Sequence, residues 1–439
     1  MKNSLIPLAA LALASPSLAQ DEAEPAADQA LSPSDHVNGA DQSEWVVIAP
    51  EELLVMTLTD AADGSPRRVV IQLMPKPFSQ GWVENIRTLA RANWYDGTSV
   101  NRVQDNYVVQ WGDANYDNPE SGGKAKPLPP GLKTMSEEEY TVDEDTLADA
   151  TYAGNDLKAL REYLSPSALL WVADNALEAV LANPDLSPAQ KDEAISEYFE
   201  TTTGVSTTGL ADKKLGPDEI ANLSIKTTTT EYAPQGWHQR DGFAEWVEFW
   251  NGWPIANSQT GQWLNEDDEP VDPPLMSWEE AREKGIYFDE KESLFWPIHC
   301  YGMVGVGRNY SPDTGSGAEL YTVIGQAPRH LDRNIALVGR IISGMEHLSS
   351  LPRGNGALGF YTKDEADKRT PIISIRVASD LPEDDRPVFE YLSTATESFA
   401  RYIEARANRR DPFFMTPAGG SDICNIPVPV RRSEFADEE

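Results

Sequence analysis

The sequence predicts a mainly β protein with some helix: one β-rich unit, interrupted by a mostly helical insert lobe and followed by a C-terminal helix and tail. Three observations carry that prediction. Short β-branched runs bounded by turn residues fill positions 44–110 and return at 302–377. Between them, about 140–295, acidic loops alternate with stretches of helical spacing. The 439 residues are 40% hydrophobic and 9% aromatic, enough for real cores and longer than one core usually organises.

Taken in order, residues 1–19 read as a secretory signal. Lys2 supplies the positive start, Leu5 to Leu13 the apolar run, and Ser17-Leu18-Ala19 the small residues before a cut. The run is too short to span a bilayer, which takes about 20 apolar residues. The expected location is therefore outside the cytoplasm, in a bacterial periplasm, without membrane insertion. Residues 20–43, rich in Ala, Asp, Glu, Pro and Ser, read as a disordered linker with nothing to bury.

The first part of the β unit is expected at 44–140. Trp45–Ile48 and Leu53–Leu58, separated by Pro50, read as strands, and Arg68–Leu73 follows a Gly-Ser-Pro turn as the partner in a hairpin. Trp82, Ile86 and Leu89 share one face of a helix over 80–93. Strands are expected again at Ser99–Val103 and Tyr107–Gln110.

The insert is placed at 141–295. Leu157–Leu164, Ser167–Leu181 and Pro188–Phe199 read as helices, the last with Ser187 as N-cap and Pro188 in the first turn. Six of the twelve tryptophans lie between Trp237 and Trp278. Phe243, Trp246 and Trp250 are spaced for one helical face. The cluster is either a small core or an aromatic peptide-binding surface.

The second part of the β unit is expected at 296–380, with strands at Gly302–Val306, Leu320–Ile324, Ile335–Ile342 and Ile372–Val377. The segment 381–439 should hold a helix over Pro387–Arg406, carrying Phe389, Leu392, Phe399 and Ile403 near one face, and an irregular tail from Asp411.

Charge excludes several functions. There are 36 Lys and Arg against 71 Asp and Glu, a net −35. Such a surface repels phosphate backbones and anionic lipid, so nucleic-acid binding is not expected. Cys300 and Cys424 are the only cysteines. They form either one disulfide or two buried free thiols. The five histidines are scattered, so no metal site and no cofactor is expected. No nucleophile–base pair stands at a familiar spacing, which argues against a secreted hydrolase. Gly302-Met303-Val304-Gly305-Val306-Gly307 lacks the following helix that a phosphate loop requires.

The most informative stretch is Tyr95-Asp96-Gly97-Thr98-Ser99-Val100-Asn101-Arg102-Val103, followed by Tyr107-Val108-Val109-Gln110-Trp111-Gly112-Asp113. It resembles the cyclophilin family of peptidyl-prolyl isomerases, whose motif runs Y-x-G-(S/T)-x-F-H-R-(V/I) and then F-(M/x)-x-Q-G-G-D. Further pieces match in unbroken order. Val83–Leu89 resembles the V-x-N-F-x-x-L helix, and Ser121-Gly122-Gly123-Lys124 the glycine-rich loop. Gly302–Gly307 resembles the strand (L/M)-(S/A)-M-A-N-A-G, and Ser316–Tyr321 resembles G-S-Q-F-F. His330-Leu331-Asp332 and Val338–Met345 resemble (H/W)-L-D-G and F-G-x-V-x-x-G-M.

The resemblance implies a closed antiparallel cyclophilin-like β-barrel with capping helices. It implies a prolyl isomerase that acts on unfolded or flexible polypeptide segments containing proline. Rotating an X-Pro bond needs no nucleophile or cofactor; it needs an apolar hollow and a cation that favours the twisted amide. By the match, Arg102 is that cation and Gln110 its orienting partner. Tyr107, Val108, Val304, Gly305, Glu319, Tyr321, His330 and Leu331 fall at substrate-binding positions. A surface salt bridge is the alternative role for Arg102. Departures from the family pattern are Asn101 for His, Tyr107 and Tyr321 for Phe, Val108 for Met, Trp111 for Gly, Glu319 for Gln, Gly305 for Asn and Ile335 for His. The two tyrosine hydroxyls require partners if buried. These departures leave a rival function open, a non-catalytic Pro-peptide-binding module or periplasmic chaperone on the same fold.

Overall fold

The computed structural model describes residues 30–115, 118–152, 241–266, 269–271 and 278–433. The expected signal, the three helices between 157 and 199, and Trp237 lie outside them. Among the described residues no helix is long and apolar enough to cross a membrane.

In chain order the strands are β1 (Trp45–Val47), β2 (Leu53–Leu58), β3 (Arg67–Leu73), β4 (Ser99–Val103), β5 (Val108–Gly112), β6 (Val142–Asp143), β7 (Trp246–Trp250) and β8 (Trp253–Leu264). They continue as β9 (Tyr287–Pro297), β10 (Met303–Val306), β11 (Leu320–Val323), β12 (Leu337–Ser343), β13 (Ile372–Val377), β14 (Phe389–Leu392) and β15 (Val430–Arg432).

Eight of them form one antiparallel sheet in the order β13-β2-β3-β12-β10-β11-β5-β4. Its two edges meet. Val100 N–H donates to the Thr370 carbonyl and Ile372 N–H to that of Thr98, at 2.9 and 2.8 Å. Closure leaves little edge to template aggregation. The barrel interior is filled by alternate side chains, among them Met56, Val69, Ile71, Val100, Val109, Trp111 and Val306, all essentially inaccessible. The helix Gln80–Arg91 closes one end with Trp82, Val83, Ile86 and Leu89 buried. The short helix Glu346–Ser349 adds Leu348 to the same core.

The described part of the insert is chiefly strand, in a second sheet of order β6-β9-β8-β7. The helical face expected for Phe243, Trp246 and Trp250 is absent: Trp246–Trp250 is β7. It turns through Asn251 and Gly252, both at positive φ, so that Trp250 pairs with Trp253. An Asn-Gly pair between apolar runs is a strong hairpin signal, and it overrides the helical spacing. Trp250, Trp253 and Trp296 are buried and join the barrel core, whereas Trp246 is 64% exposed. For the two buried members of the expected cluster, Trp250 and Trp253, the core role holds.

The chain ends correct two further expectations. Pro33–Asn38 is a helix capped by Ser32, whose hydroxyl and Asp35 carboxylate form a capping box. Val37 and Ala40 pack on a small core of Trp45, Leu392, Phe399, Ile403 and Ile426, so residues 30–43 are not an unpacked linker. The helix expected over Pro387–Arg406 is split. Phe389–Leu392 is β14, paired between β1 and β15. The helix proper is Glu397–Ala407, started by Thr396, whose hydroxyl accepts from Phe399 N–H. The irregular tail contains β15 and is tied down by a disulfide between Cys300 and Cys424.

Candidate functional site

The barrel carries a cleft of about 510 Å³ on the side of β4, β5 and β11. Arg102 on β4 and Gln110 on β5 are directly opposite residues of neighbouring strands. Arg102 Nη1 donates to Gln110 Oε1 at 3.2 Å, and Nη2 donates to Gln104 Oε1. Arg102 Nε donates to the Leu358 carbonyl at 2.6 Å. The guanidinium also lies 5.6 Å from the ring centres of both Tyr107 and Phe360. Three hydrogen bonds and two aromatic faces fix its orientation. Burial lowers its pKa, countered by the neighbouring Tyr107 and Tyr321. Arginine begins so high that it stays charged in neutral water.

Val108, Tyr321 and Val323 form a small apolar cluster outside the barrel core, with Tyr107, Leu331 and Ile335 packed against it. Val108, Tyr321, Leu331 and Ile335 line the cleft as an apolar surface beside Arg102. Tyr321 is buried, and its hydroxyl meets Nε2 of His299 at 2.9 Å. His299 Nδ1 lies 2.9 Å from Asp332 Oδ1, which also accepts the His299 backbone N–H. Asp332 accepts from Arg329, and Arg329 in turn pairs with Asp241 of the insert. Burial alone would raise the Asp332 pKa, but His299 and Arg329 hold it below the ordinary value. In the tautomer that donates from Nδ1 to this carboxylate, Nε2 is left to accept the Tyr321 hydroxyl. The hydroxyl therefore has its partner within the wall.

A protein-family comparison matches this chain to the model described as cyclophilin type peptidyl-prolyl cis-trans isomerase/CLD, over residues 60–161 and 232–377. The two segments make up more than half of the chain. The chain belongs to this cyclophilin family. Among solved structures, the cyclophilin AquaCyp293 from Hirschia baltica aligns over 89% of this chain and 94% of its own, at 18% identity and a TM-score of 0.45. No curated protein matches the chain.

Of the ten site residues expected from the cyclophilin motifs, six line the cleft: Arg102, Tyr107, Val108, Gln110, Tyr321 and Leu331. The other four stand behind or beside it. Val304 is buried in the barrel core. Gly305 lies against the Tyr321 ring, where a Cβ would come within 2.3 Å of the hydroxyl. Glu319 is buried against Gly112, with its carboxylate 2.2 Å from where a Cβ at that glycine would be. His330 is exposed and stacks on the Tyr107 ring, centroids 6.3 Å apart.

Several residues of this cyclophilin cleft escape sequence reasoning. Leu358 and Phe360 reach it from a loop some 250 positions after Arg102. Nothing local marks them. The loop is shaped by Glu365, which accepts from the backbone of Asn355 and Thr362 and from Lys368. Arg308, Asn309 and Tyr310 also line the cleft, at the start of the segment Arg308–Ser316. The length of that segment is the one visible sign of it in the sequence.

Proposed function

We propose that this cyclophilin is an active peptidyl-prolyl cis-trans isomerase acting on flexible proline-containing segments of exported proteins. One observation carries the reading: a fixed guanidinium, Arg102, lies at the edge of an apolar surface formed by Val108, Tyr321, Leu331 and Ile335. An X-Pro bond rotates over a barrier of about 20 kcal/mol because its nitrogen lone pair is delocalised into the carbonyl. At the twisted geometry that lone pair returns to a pyramidal nitrogen and can accept a hydrogen bond. A donor fixed where this happens binds the twisted state better than either planar form, which is the condition for catalysis. The apolar surface would seat the proline ring. Gln110 and Gln104 would hold the guanidinium against drift during rotation.

Export is supported by the signal-like residues 1–19 and by the Cys300–Cys424 disulfide, which suits an oxidising compartment. The rival function, a binding module without turnover, rests on the tryptophans of the insert and on the tyrosines that replace phenylalanine. For Tyr321 that motive weakens, because its hydroxyl is bonded to His299.

A protease-free measurement of cis-trans exchange in a short Pro-peptide separates the two. Acceleration over the spontaneous exchange, which takes tens to hundreds of seconds, supports the isomerase. Binding of the peptide with no acceleration supports the module instead.

A further inference from the structure

Acidic residues outnumber basic ones about two to one in this chain, yet among the described residues no Asp or Glu lines the cleft, while two arginines do: Arg102 and Arg308. Several other arginines follow the composition. Arg91, Arg329, Arg376, Arg409 and Arg431 each pair with a carboxylate. The two cleft arginines, like Arg340 and Arg386 elsewhere in the fold, are held by neutral oxygens instead. Arg308 donates from Nε and Nη2 to the Asn334 carbonyl at 3.0 and 2.7 Å, and from Nη1 to the Asn309 carbonyl at 2.7 Å. The acid nearest in sequence, Asp313, accepts from the backbone amides of Asn309 and Gly315. Carbonyl oxygens orient a guanidinium without cancelling its charge. Arg308 is thus a positioned cation, with its charge uncompensated by an ion pair among the described residues.

We propose that the cleft selects proline segments carrying a carboxylate side chain close to the proline, and that Arg308 is the residue that reads it. The inference rests on the cleft being a prolyl-peptide site. Arg102 is committed to the bond that turns, so Arg308, on the loop after β10, is the group available to a flanking side chain. An arginine meets a carboxylate with two parallel hydrogen bonds, which supplies direction as well as charge. The negative shell does not oppose this at contact range, because charges further than about 8 Å are largely screened at physiological salt. The same shell discourages acidic chains elsewhere on the surface, so the cleft is where an acidic segment would settle.

The test compares three peptides of one length, with Glu, Gln or Lys placed in turn at each position flanking the proline. In the wild type, kcat/KM for the best Glu peptide should exceed that of its Gln counterpart by about threefold to tenfold, with Lys below Gln. In Arg308→Gln the Glu-to-Gln ratio should fall to about one. In Arg308→Lys it should stay above one. Each ratio is taken within one variant, so a general loss of rate does not disturb it. Equal rates for Glu and Gln at every position, or a ratio that survives Arg308→Gln, would overturn the proposal. If no peptide is turned over, the isomerase reading fails by itself, and the affinities of the same peptides by calorimetry must show the same ratios. Failure to bind any of them overturns both.

Discussion

The hydroxyl of Tyr321 occupies the space that a side chain at Gly305 would need. A Cβ there would lie 2.3 Å from Oη and 2.4 Å from Cζ. The two departures from the family motif, tyrosine for phenylalanine and glycine for asparagine, are therefore one adjustment. Gly305→Ala should destabilise the protein by about 1–3 kcal/mol through overpacking. Tyr321→Phe alone should cost about 1–3 kcal/mol, because it leaves His299 Nε2 buried without a partner. Combined, the two should cost less than their sum, with only partial relief because the Cζ contact remains. Denaturant midpoints of both single variants and the double variant measure this. Additive costs would show that the residues are not coupled.

Glu365 controls a cleft wall that it does not itself line. It bonds Asn355, Thr362 and Lys368 around the turn that presents the Leu358 carbonyl and the Phe360 ring to Arg102. Glu365→Gln loses the ion pair and part of this bonding. The expected result is a KM for Pro-peptides raised about threefold or more, since a loosened wall binds all states of the peptide less well. An unchanged KM and kcat would mean that the loop holds its form without Glu365.

Stability should respond to pH with opposite signs from two carboxylates. Burial pushes the Glu248 carboxyl on β7 up to about 7, from an ordinary 4.5. Below about 4.5 it is protonated in folded and unfolded chains alike. Between there and about 7 the unfolded chain releases its proton first, so the fold loses stability as pH rises through that window. Glu365 is the reverse case. Its bonds to Lys368, Asn355 and Thr362 pull it down to about 2, so its contribution is full above 4.5 and disappears as pH falls towards 2. Melting temperatures across pH 4 to 8 for wild type and Glu248→Gln test the first claim. The decline towards neutral pH should flatten in the variant, and an identical slope would contradict the assignment.

The Cys300–Cys424 bridge joins the turn between β9 and β10 to the C-terminal tail, across a sequence separation of 124 residues. Cys424→Ser should cost about 2–5 kcal/mol. Thermal melts with and without reductant check it. A wild-type melt indifferent to reductant would show that the bridge adds nothing.

Much of the barrel is legible in the sequence because its strands are short apolar, β-branched runs and its turns are marked. Ser99–Val103 and Ile372–Val377 have the expected bounds, and Leu53–Leu58 pairs with Arg67–Leu73 as a hairpin. Arg102 and Gln110 were readable as neighbours because a short reversal joins their strands. What was hidden comes from distant chain. Leu358 and Phe360 form a cleft wall through a turn with Leu358 at positive φ, a conformation that leucine does not announce. His299 is a lone histidine whose role depends on Asp332 and Tyr321 meeting it in space. Elsewhere the signal was present but outweighed. Trp250-Asn251-Gly252-Trp253 carries a hairpin turn, and the spacing of the aromatics masked it. Phe389 and Leu392 fit a helix as well as a strand, and pairing with Trp45–Val47 decides between them.

The most direct test of the central claim is the isomerisation rate of the Arg102→Ala variant beside the wild type, in a protease-free assay at equal concentration. The variant should keep its fold, because the hydrogen bonds of Arg102 go to Gln110, Gln104 and the Leu358 carbonyl at the partly open cleft. Its kcat/KM should fall at least about tenfold, equivalent to about 1.4 kcal/mol of lost transition-state stabilisation. A folded Arg102→Ala variant that turns X-Pro bonds as fast as the wild type would contradict the account.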